Sequence, residues 1–79
     1  MKVGIKIMPR DVILDTQGRA VENSMKANGF ELQSCRVGKF LELSLVTADQ
    51  IKAQADVEKM LKQGGLYNPL IEKFEIQFM

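Results

Sequence analysis

Apolar and polar residues alternate one by one in three short runs, at the two ends and in the middle of the chain. The runs cover residues 2–8, 39–45 and 73–78. A period of two residues is typical of a strand with one buried side. We therefore predict strands at these three places, and a further strand over 30–37.

Gly38 and Lys39 separate this further strand from the one in the middle of the chain. A two-residue type II′ loop needs φ > 0 at its first central position, which glycine adopts without a Cβ clash. The sequence therefore predicts a central hairpin over 35–45, with Gly38 as its turn residue.

The first helix is predicted from Thr16 to about Asn28. Asp15 is typical of an N-cap, and Gly29 of the left-handed residue that closes a helix. The apolar stripe of this helix is narrow and consists mostly of small residues: Ala20, Val21, Ser24, Met25 and Ala27. In the loop before it, the apolar triplet 12–14 is too apolar to remain free in water and is expected to pack against some surface.

The second helix is predicted to begin at Thr47. Thr47 and Gln50 have the spacing of a capping box, and Val46 and Ile51 have that of a hydrophobic staple. Two consecutive glycines end the helix, and an Asn-Pro turn leads into the last strand.

The predicted order is β-α-β-β-α-β, so the fold class is α+β. We expect a single domain over 1–79, a two-layer sandwich with a ferredoxin-like antiparallel sheet and two helices on one face. The other face is either solvated or an oligomer contact. Its predicted residues are Lys2, Lys6, Met8, Phe40, Glu42, Ser44, Glu75 and Gln77.

Charge and composition exclude several classes of function. Eleven basic residues stand against ten acidic ones, and this near balance offers no basic field for nucleic acid. An RNA-recognition module would also need stacking aromatics on its central strands, where Phe40 stands without a partner. No apolar run approaches the roughly 20 residues that span a bilayer, and no signal peptide is visible, so a cytoplasmic protein is expected.

The inventory of reactive side chains is equally restrictive. The chain has one cysteine and no histidine, which argues against a Cys/His zinc site or an imidazole-based triad. No carboxylate has the setting of a tuned acid or base, and Cys35 is expected to be a small core residue. We therefore expect no catalytic residue, no metal site and no cofactor on this chain.

Three stretches carry a resemblance to a known family. They are 14–21 (LDTQGRAV), 36–39 (RVGK) and 68–74 (NPLIEKF). Together, in this order and in a chain of this length, the sequence resembles the PurS family, the small subunit of phosphoribosylformylglycinamidine (FGAM) synthase. Thr16 departs from the family, which usually has proline there. Proline and threonine both suit the start of a helix.

The resemblance implies a non-catalytic, usually dimeric part of a three-part ligase of purine biosynthesis. A glutaminase subunit releases ammonia, a large synthetase subunit uses ATP and Mg²⁺, and the small subunit bridges them and supports ammonia transfer. The expected partners are thus a second copy of the chain and these two subunits. A stand-alone regulatory module of the same layout, binding a small ligand, is the alternative.

Within the three stretches, long polar side chains are the candidates for subunit contact: Gln17, Arg19, Arg36 and Lys39. They have no capping role and reach outwards. The other motif residues are expected to be structural: Asp15, Gly18, Gly38, Asn68 and Pro69.

Overall fold

A computed structural model describes all residues, 1–79, as three strands and two helices. The elements in chain order are β1 (Lys2–Pro9), α1 (Thr16–Ala27), β2 (Lys39–Ser44), α2 (Gln50–Gln63) and β3 (Glu72–Phe78). The strand order in the sheet is β2-β1-β3, and both outer strands run antiparallel to β1. The α+β class, the antiparallel sheet and the two helices are confirmed.

The segment 30–37 holds the place of the predicted second strand along the chain, but it pairs with no strand. The predicted hairpin turn is also wrong, because positive φ occurs only at Gly29 and Gly65. Gly38 is needed for a different reason: a Cβ on it would overlap the carbonyl oxygen of Ile7. Its backbone lies against β1, which leaves no room for a side chain on that side.

The core lies between β1 and α2. Three alternate residues of β1 pack against α2 residues spaced four apart, and all six are almost fully buried: Val3, Ile5, Ile7, Ala53, Val57 and Leu61. This spacing puts the three helical residues on one face of α2. Helix α1 contributes none of these residues, so α2 alone covers the centre of the sheet.

Strand register sorts the remaining residues by face. Val3 and Ile5 lie opposite Leu43 and Leu41 on β2, and opposite Phe78 and Ile76 on β3. The other face carries the mixed set of polar and apolar residues that the sequence predicts, with Phe40 about half exposed (54%). On that face Lys2 and Glu42 form an exposed ion pair at 3.2 Å.

The ends of α1 confirm the prediction. Asp15 caps the helix through an oxygen that accepts from the N–H of Gly18, and Gly29 follows the C-cap with φ +90°. No residue of α1 other than Gly18 is buried. The narrow stripe therefore faces mostly outwards.

The start of α2 differs from the prediction. Asp49 is the N-cap and accepts from the N–H of Ile51 at 3.0 Å, so the helix begins at Gln50 and not at Thr47. The Thr47 hydroxyl instead accepts from the N–H of Asp49 at 3.1 Å. The proposed staple is absent because Val46 and Ile51 are both exposed. Aspartate is a somewhat better N-cap than threonine, and here it outcompetes the capping box.

The molecule is elongated, with principal extents of 47 × 25 × 14 Å. Its radius of gyration is 15.7 Å, whereas a compact chain of this length has one of about 12 Å. Neither helix combines the length and apolarity needed to cross a membrane.

Candidate subunit-contact site

The three stretches that carry the family resemblance meet at one end of the sheet. The loop between β1 and α1, the segment before β2 and the turn before β3 surround a cleft of about 330 Å³. Its lining includes Leu14, Gln17, Lys39 and Ile71, which come from all three stretches. We call this region, residues 9–19, 34–39 and 68–73, the loop end of the molecule.

Asp15 ties two of the stretches together. One carboxylate oxygen accepts from the N–H of Gly18 at 2.9 Å, and the other accepts from the N–H of Val37 at 2.7 Å. The Arg36 guanidinium lies 3.9 Å from the second oxygen. The hydrogen bonds from Gly18 and Val37, and then the charge of Arg36, lower the pKa of Asp15.

Arg36 holds the loop that follows β1. Its guanidinium donates to the carbonyl oxygens of Pro9 at 3.3 Å, Arg10 at 2.8 Å and Asp11 at 3.5 Å. Arginine suits this role because its planar fork presents several donors at once. Arg36 therefore has a structural role that sequence reasoning missed, and its role as a subunit contact stays a prediction.

Gly18 lets α1 approach the segment before β2 closely. A Cβ on Gly18 would overlap the carbonyl oxygen of Cys35 and the carboxylate of Asp15. One turn later, Glu22 accepts from the N–H of Cys35 at 3.2 Å. Cys35 is half-buried with a free thiol. The side of α1 that faces the rest of the chain thus packs on this segment and not on the sheet.

The turn before β3 is closed by its own polar groups. The Asn68 side-chain oxygen accepts from the N–H of Leu70 at 3.1 Å, and the Glu72 carboxylate accepts from the N–H of Asn68 at 2.7 Å. Arg10 joins this turn to the first loop, with its N–H donating to Ile71 at 2.8 Å and its Nε to Pro69 at 3.0 Å. Asn68 thus makes the hydrogen bonds of a turn residue, and the structural role of Pro69 stays a prediction. Nothing in the sequence pattern identifies Arg10 as the link.

The remaining polar candidates have free side chains. Gln17, Arg19 and Lys39 are exposed and take part in no hydrogen bond or ion pair through their side chains. Gln17 and Lys39 line the first cleft, while Arg19 and Arg36 line a neighbouring one of about 360 Å³. The two clefts share the wall formed by residues 13–15. The four predicted contact residues are therefore brought together at the loop end.

Apolar side chains are exposed between these polar ones. Val12 is 89% exposed, Leu14 is 70% exposed and Leu70 is 83% exposed. Within the chain only Ile13 of the triplet 12–14 is partly buried, so the packing predicted for Val12 and Leu14 stays a prediction. Three consecutive apolar residues in a loop are the sequence feature that indicates a contact surface here. Exposed apolar groups among free amide and cationic groups suit contact with another protein.

Comparison with known proteins gives a consistent family assignment. The model of the PurS family, described as phosphoribosylformylglycinamidine (FGAM) synthase, matches residues 2–79. The PurS subunit from Synechocystis is 31% identical over 71 residues, which cover 89% of this chain and 70% of that protein.

Solved structures agree with this match over nearly the full length. The PurS subunit from Thermotoga maritima superimposes with a TM-score of 0.91 at 25% identity, covering 99% of this chain and 90% of that one. A chain in the structure of PurLQS from the same organism gives 0.90 at 25% identity, with 99% and 95% covered. Thermus thermophilus PurS gives 0.81 at 30% identity, with 99% and 95% covered.

Proposed function

This chain belongs to the PurS family and is a subunit of FGAM synthase, and from that premise we propose that it bridges the glutaminase and ATP-dependent synthetase subunits without taking part in the chemistry. The observation that carries this proposal is the convergence of the three motif stretches at one exposed end of the molecule. Their residues are far apart in sequence, and their shared location is a feature of a contact surface.

The side chains at the loop end fall into two groups, one that supports the loops and one that is free to contact another protein. Asp15, Gly18, Arg36 and Arg10 act on backbone groups of their own chain and hold the loops in place. The side chains of Gln17, Arg19 and Lys39 remain free. A backbone that is held in place before binding loses little conformational entropy on binding, so only the free side chains remain to be ordered. We propose that these three side chains, with the exposed apolar groups among them, contact a larger subunit.

The remaining parts of the proposal follow the family premise. The chain forms a homodimer and supports transfer of ammonia from the glutaminase to the synthetase. ATP and Mg²⁺ are bound by the synthetase, and this chain binds no cofactor of its own. A cytoplasmic location stays a prediction of the sequence.

Reconstitution tests the bridging role. The chain, the glutaminase and the synthetase are mixed with glutamine, ATP and Mg²⁺, and glutamine-dependent product formation is titrated with the small chain. We expect activity to depend on it and to saturate. Activity that is the same without the chain, or turnover of glutamine or ATP by the chain alone, would contradict the proposal.

A matched pair of triple variants tests the surface. Gln17→Ala, Arg19→Ala and Lys39→Ala together remove one amide and two cations from the loop end. The control removes the same groups from the exposed side of α2: Lys52→Ala, Lys59→Ala and Gln63→Ala. We expect the first variant to need at least about tenfold more chain for half-maximal activity, since truncating central contact residues costs about 2 kcal/mol or more. Equal titration curves would show that the contact lies elsewhere.

A further inference from the structure

Asn28 is the only asparagine in the chain that is followed by glycine. Serine follows Asn23 and proline follows Asn68. An asparagine loses ammonia when the backbone N of the next residue attacks its side-chain amide carbon. Glycine hinders this attack least, because it has no Cβ and the freest backbone dihedrals. Asn28 is therefore the asparagine of this chain that is best placed to react with its own backbone.

Both residues of this pair are accessible at the end of α1. Asn28 and Gly29 are exposed, and a Cβ on Gly29 would meet no atom within 4 Å. No other part of the fold covers the two groups that would react. Whether they react is therefore decided by the local conformation at the end of the helix.

The closed end of α1 holds the backbone N of Gly29. Its N–H donates to the carbonyl oxygen of Lys26 at 3.1 Å, and the N–H of Phe30 donates to that of Met25 at 3.0 Å. These are the two hydrogen bonds of a Schellman motif, with Gly29 in the left-handed conformation at φ +90°. We call this pair of bonds the cap of α1.

The closed cap also turns Asn28 away from the attacking atom. Closure of a five-membered ring requires the Cβ of Asn28 and the N of Gly29 to eclipse each other about the Cα–C bond. With ψ of Asn28 at 8°, the backbone N of Asn28 eclipses the N of Gly29 instead. The side-chain amide of Asn28 is held as well, because it donates to the carbonyl oxygen of Ser24 at 2.8 Å. The ring can therefore close only after the cap has opened.

Opening of the cap does not require the core to open. α1 contributes no residue to the core, and Gly18, its one buried residue, lies near the other end of the helix. Helix ends with few buried contacts open at a much lower free energy than a packed core does. The cap is therefore expected to open while β1 and α2 stay packed.

We propose that Asn28 and Gly29 form a deamidation site that reacts when the cap of α1 opens. The N of Gly29 then forms a bond to Cγ of Asn28 and gives up its proton, and the Cγ–Nδ2 bond breaks as ammonia leaves. Water opens the resulting cyclic imide at either of its carbonyl groups, which yields aspartate or isoaspartate. The two steps change no oxidation state, and water is the only co-reactant.

Either product weakens the end of α1. Neither aspartate nor isoaspartate has the amide group that donates to Ser24, and both place a carboxylate at the negative end of the helix dipole. Isoaspartate also adds one methylene group to the backbone, which changes the spacing on which the cap depends. The modification therefore favours the open cap and loosens the start of the segment 30–37.

Mass spectrometry of the incubated chain tests the site. The full chain is kept at neutral pH, in buffer or in urea, and digested with trypsin. The three asparagines then lie in separate peptides: 20–26, 27–36 and 63–73. We expect Asn28 to be converted faster than Asn23 and Asn68 in both media, and at least about tenfold more slowly in buffer than in urea.

Three outcomes of this experiment would contradict the proposal. Similar rates for Asn23 and Asn28 in urea would overturn the site. Equal rates for Asn28 in buffer and in urea would show that the cap does not protect it. Conversion of Asn28 in urea alone would show that the cap does not open in the folded chain.

Two variants of the residue after the pair test the role of the cap. Phe30→Pro removes the N–H that donates to Met25, whereas Phe30→Ala keeps it, and both remove a ring that is 60% exposed. The rate in buffer is divided by the rate of the same variant in urea, which cancels sequence effects on the chemistry. We expect this ratio to be at least about threefold higher for the proline variant, which corresponds to the loss of one ordinary hydrogen bond. Equal ratios would overturn the role of the cap.

A second pair of variants keeps this role testable if the proline variant fails to fold. Ala27→Gly weakens the last turn of α1, next to the cap, whereas Ala20→Gly weakens the helix farther from it, and both positions are exposed. We expect Ala27→Gly to raise the ratio of the two rates by about threefold or more, because glycine disfavours the helical turn on which the cap is built. Ala20→Gly should leave the ratio unchanged. The same ratio in both glycine variants would overturn the role of the cap.

Discussion

Two halves of the molecule, β1 with α2 and α1 with the segment before β2, are held together by different forces. β1 and α2 meet through six almost fully buried apolar side chains. α1 meets the segment before β2 through carboxylates that accept from backbone N–H groups, and through a glycine that permits close approach. Burial of side chains stabilises the first half, and directed hydrogen bonds to the backbone order the second. Of the contact residues proposed above, Gln17 and Arg19 lie in the second half, and Lys39 follows it directly as the first residue of β2.

The largest effect is expected in the apolar half. Ile5 is fully buried at the centre of β1, whereas Leu14 at the loop end is 70% exposed. Ile5→Ala should lower the free energy of unfolding by about 2–5 kcal/mol, because it removes buried methyl groups and leaves a cavity. Leu14→Ala should change it by no more than about 0.5 kcal/mol. Urea titrations of both variants measure the difference, and similar losses would show that the loop end is buried in solution.

A smaller loss of stability is expected where α1 packs against the segment before β2. A Cβ at Gly18 would overlap backbone and carboxylate atoms, so Gly18→Ala should cost about 1–3 kcal/mol despite the higher helix propensity of alanine. Ser24→Ala, on an exposed position of the same helix, is the control and should cost nothing. Thermal melts compare the two variants. A Gly18→Ala variant as stable as the parent would mean that α1 does not pack on this segment.

Arg36→Ala should lower the free energy of unfolding by about 1 kcal/mol, the net value of a typical hydrogen bond. The loss is this small because the three carbonyl acceptors of Arg36 are at an exposed site, where water replaces the lost donors. Arg36→Lys should not restore stability, since a single ammonium cannot reproduce the fork. Arg19→Ala provides the comparison and should stay within about 0.5 kcal/mol of the parent. Full rescue by lysine would show that only the charge of Arg36 matters.

The same contrast explains which parts of the structure could be predicted. The alternation in β1 and β3, the Asp15 cap and the left-handed Gly29 depend on neighbouring residues, and all are confirmed. At the start of α2 two good caps lie two residues apart, and local reasoning chose Thr47 where Asp49 is used.

The other failures involve distant partners. Whether residues 30–37 fold back on β2 depends on Asp15 and Glu22, and the need for glycine at position 38 depends on the backbone of Ile7. The carbonyl groups to which Arg36 and Arg10 donate are likewise far from them in sequence. Rules of periodicity and capping use only residues that are close in sequence, so they cannot predict such contacts. The residues of the candidate site could therefore be found from the family motifs, but the division between supporting and free side chains could not.

The smallest effect is expected from pH and concerns Asp15. Its pKa in the folded chain is lowered, chiefly by the hydrogen bonds from Gly18 and Val37. A carboxyl group with a lowered folded pKa stabilises the fold above its unfolded pKa of about 4. This contribution is lost as pH falls through the unfolded value towards the lower folded value. We therefore expect stability to fall more steeply below about pH 4 in the parent than in Asp15→Asn, which does not titrate but retains one acceptor oxygen for the helix cap.

Chemical denaturation at several pH values between about 5 and 2 measures this difference. Asp11, also a loop-end carboxylate but 88% exposed in its side chain, provides the control through Asp11→Asn. Its ion pair with Lys73 is exposed, and such pairs contribute little. We expect the Asp11 variant to follow the parent and the Asp15 variant to show the flatter profile. Parallel profiles for the parent and Asp15→Asn would mean that the carboxylate does not join α1 to the segment before β2 in solution, and the contrast between the two halves would lose its central contact.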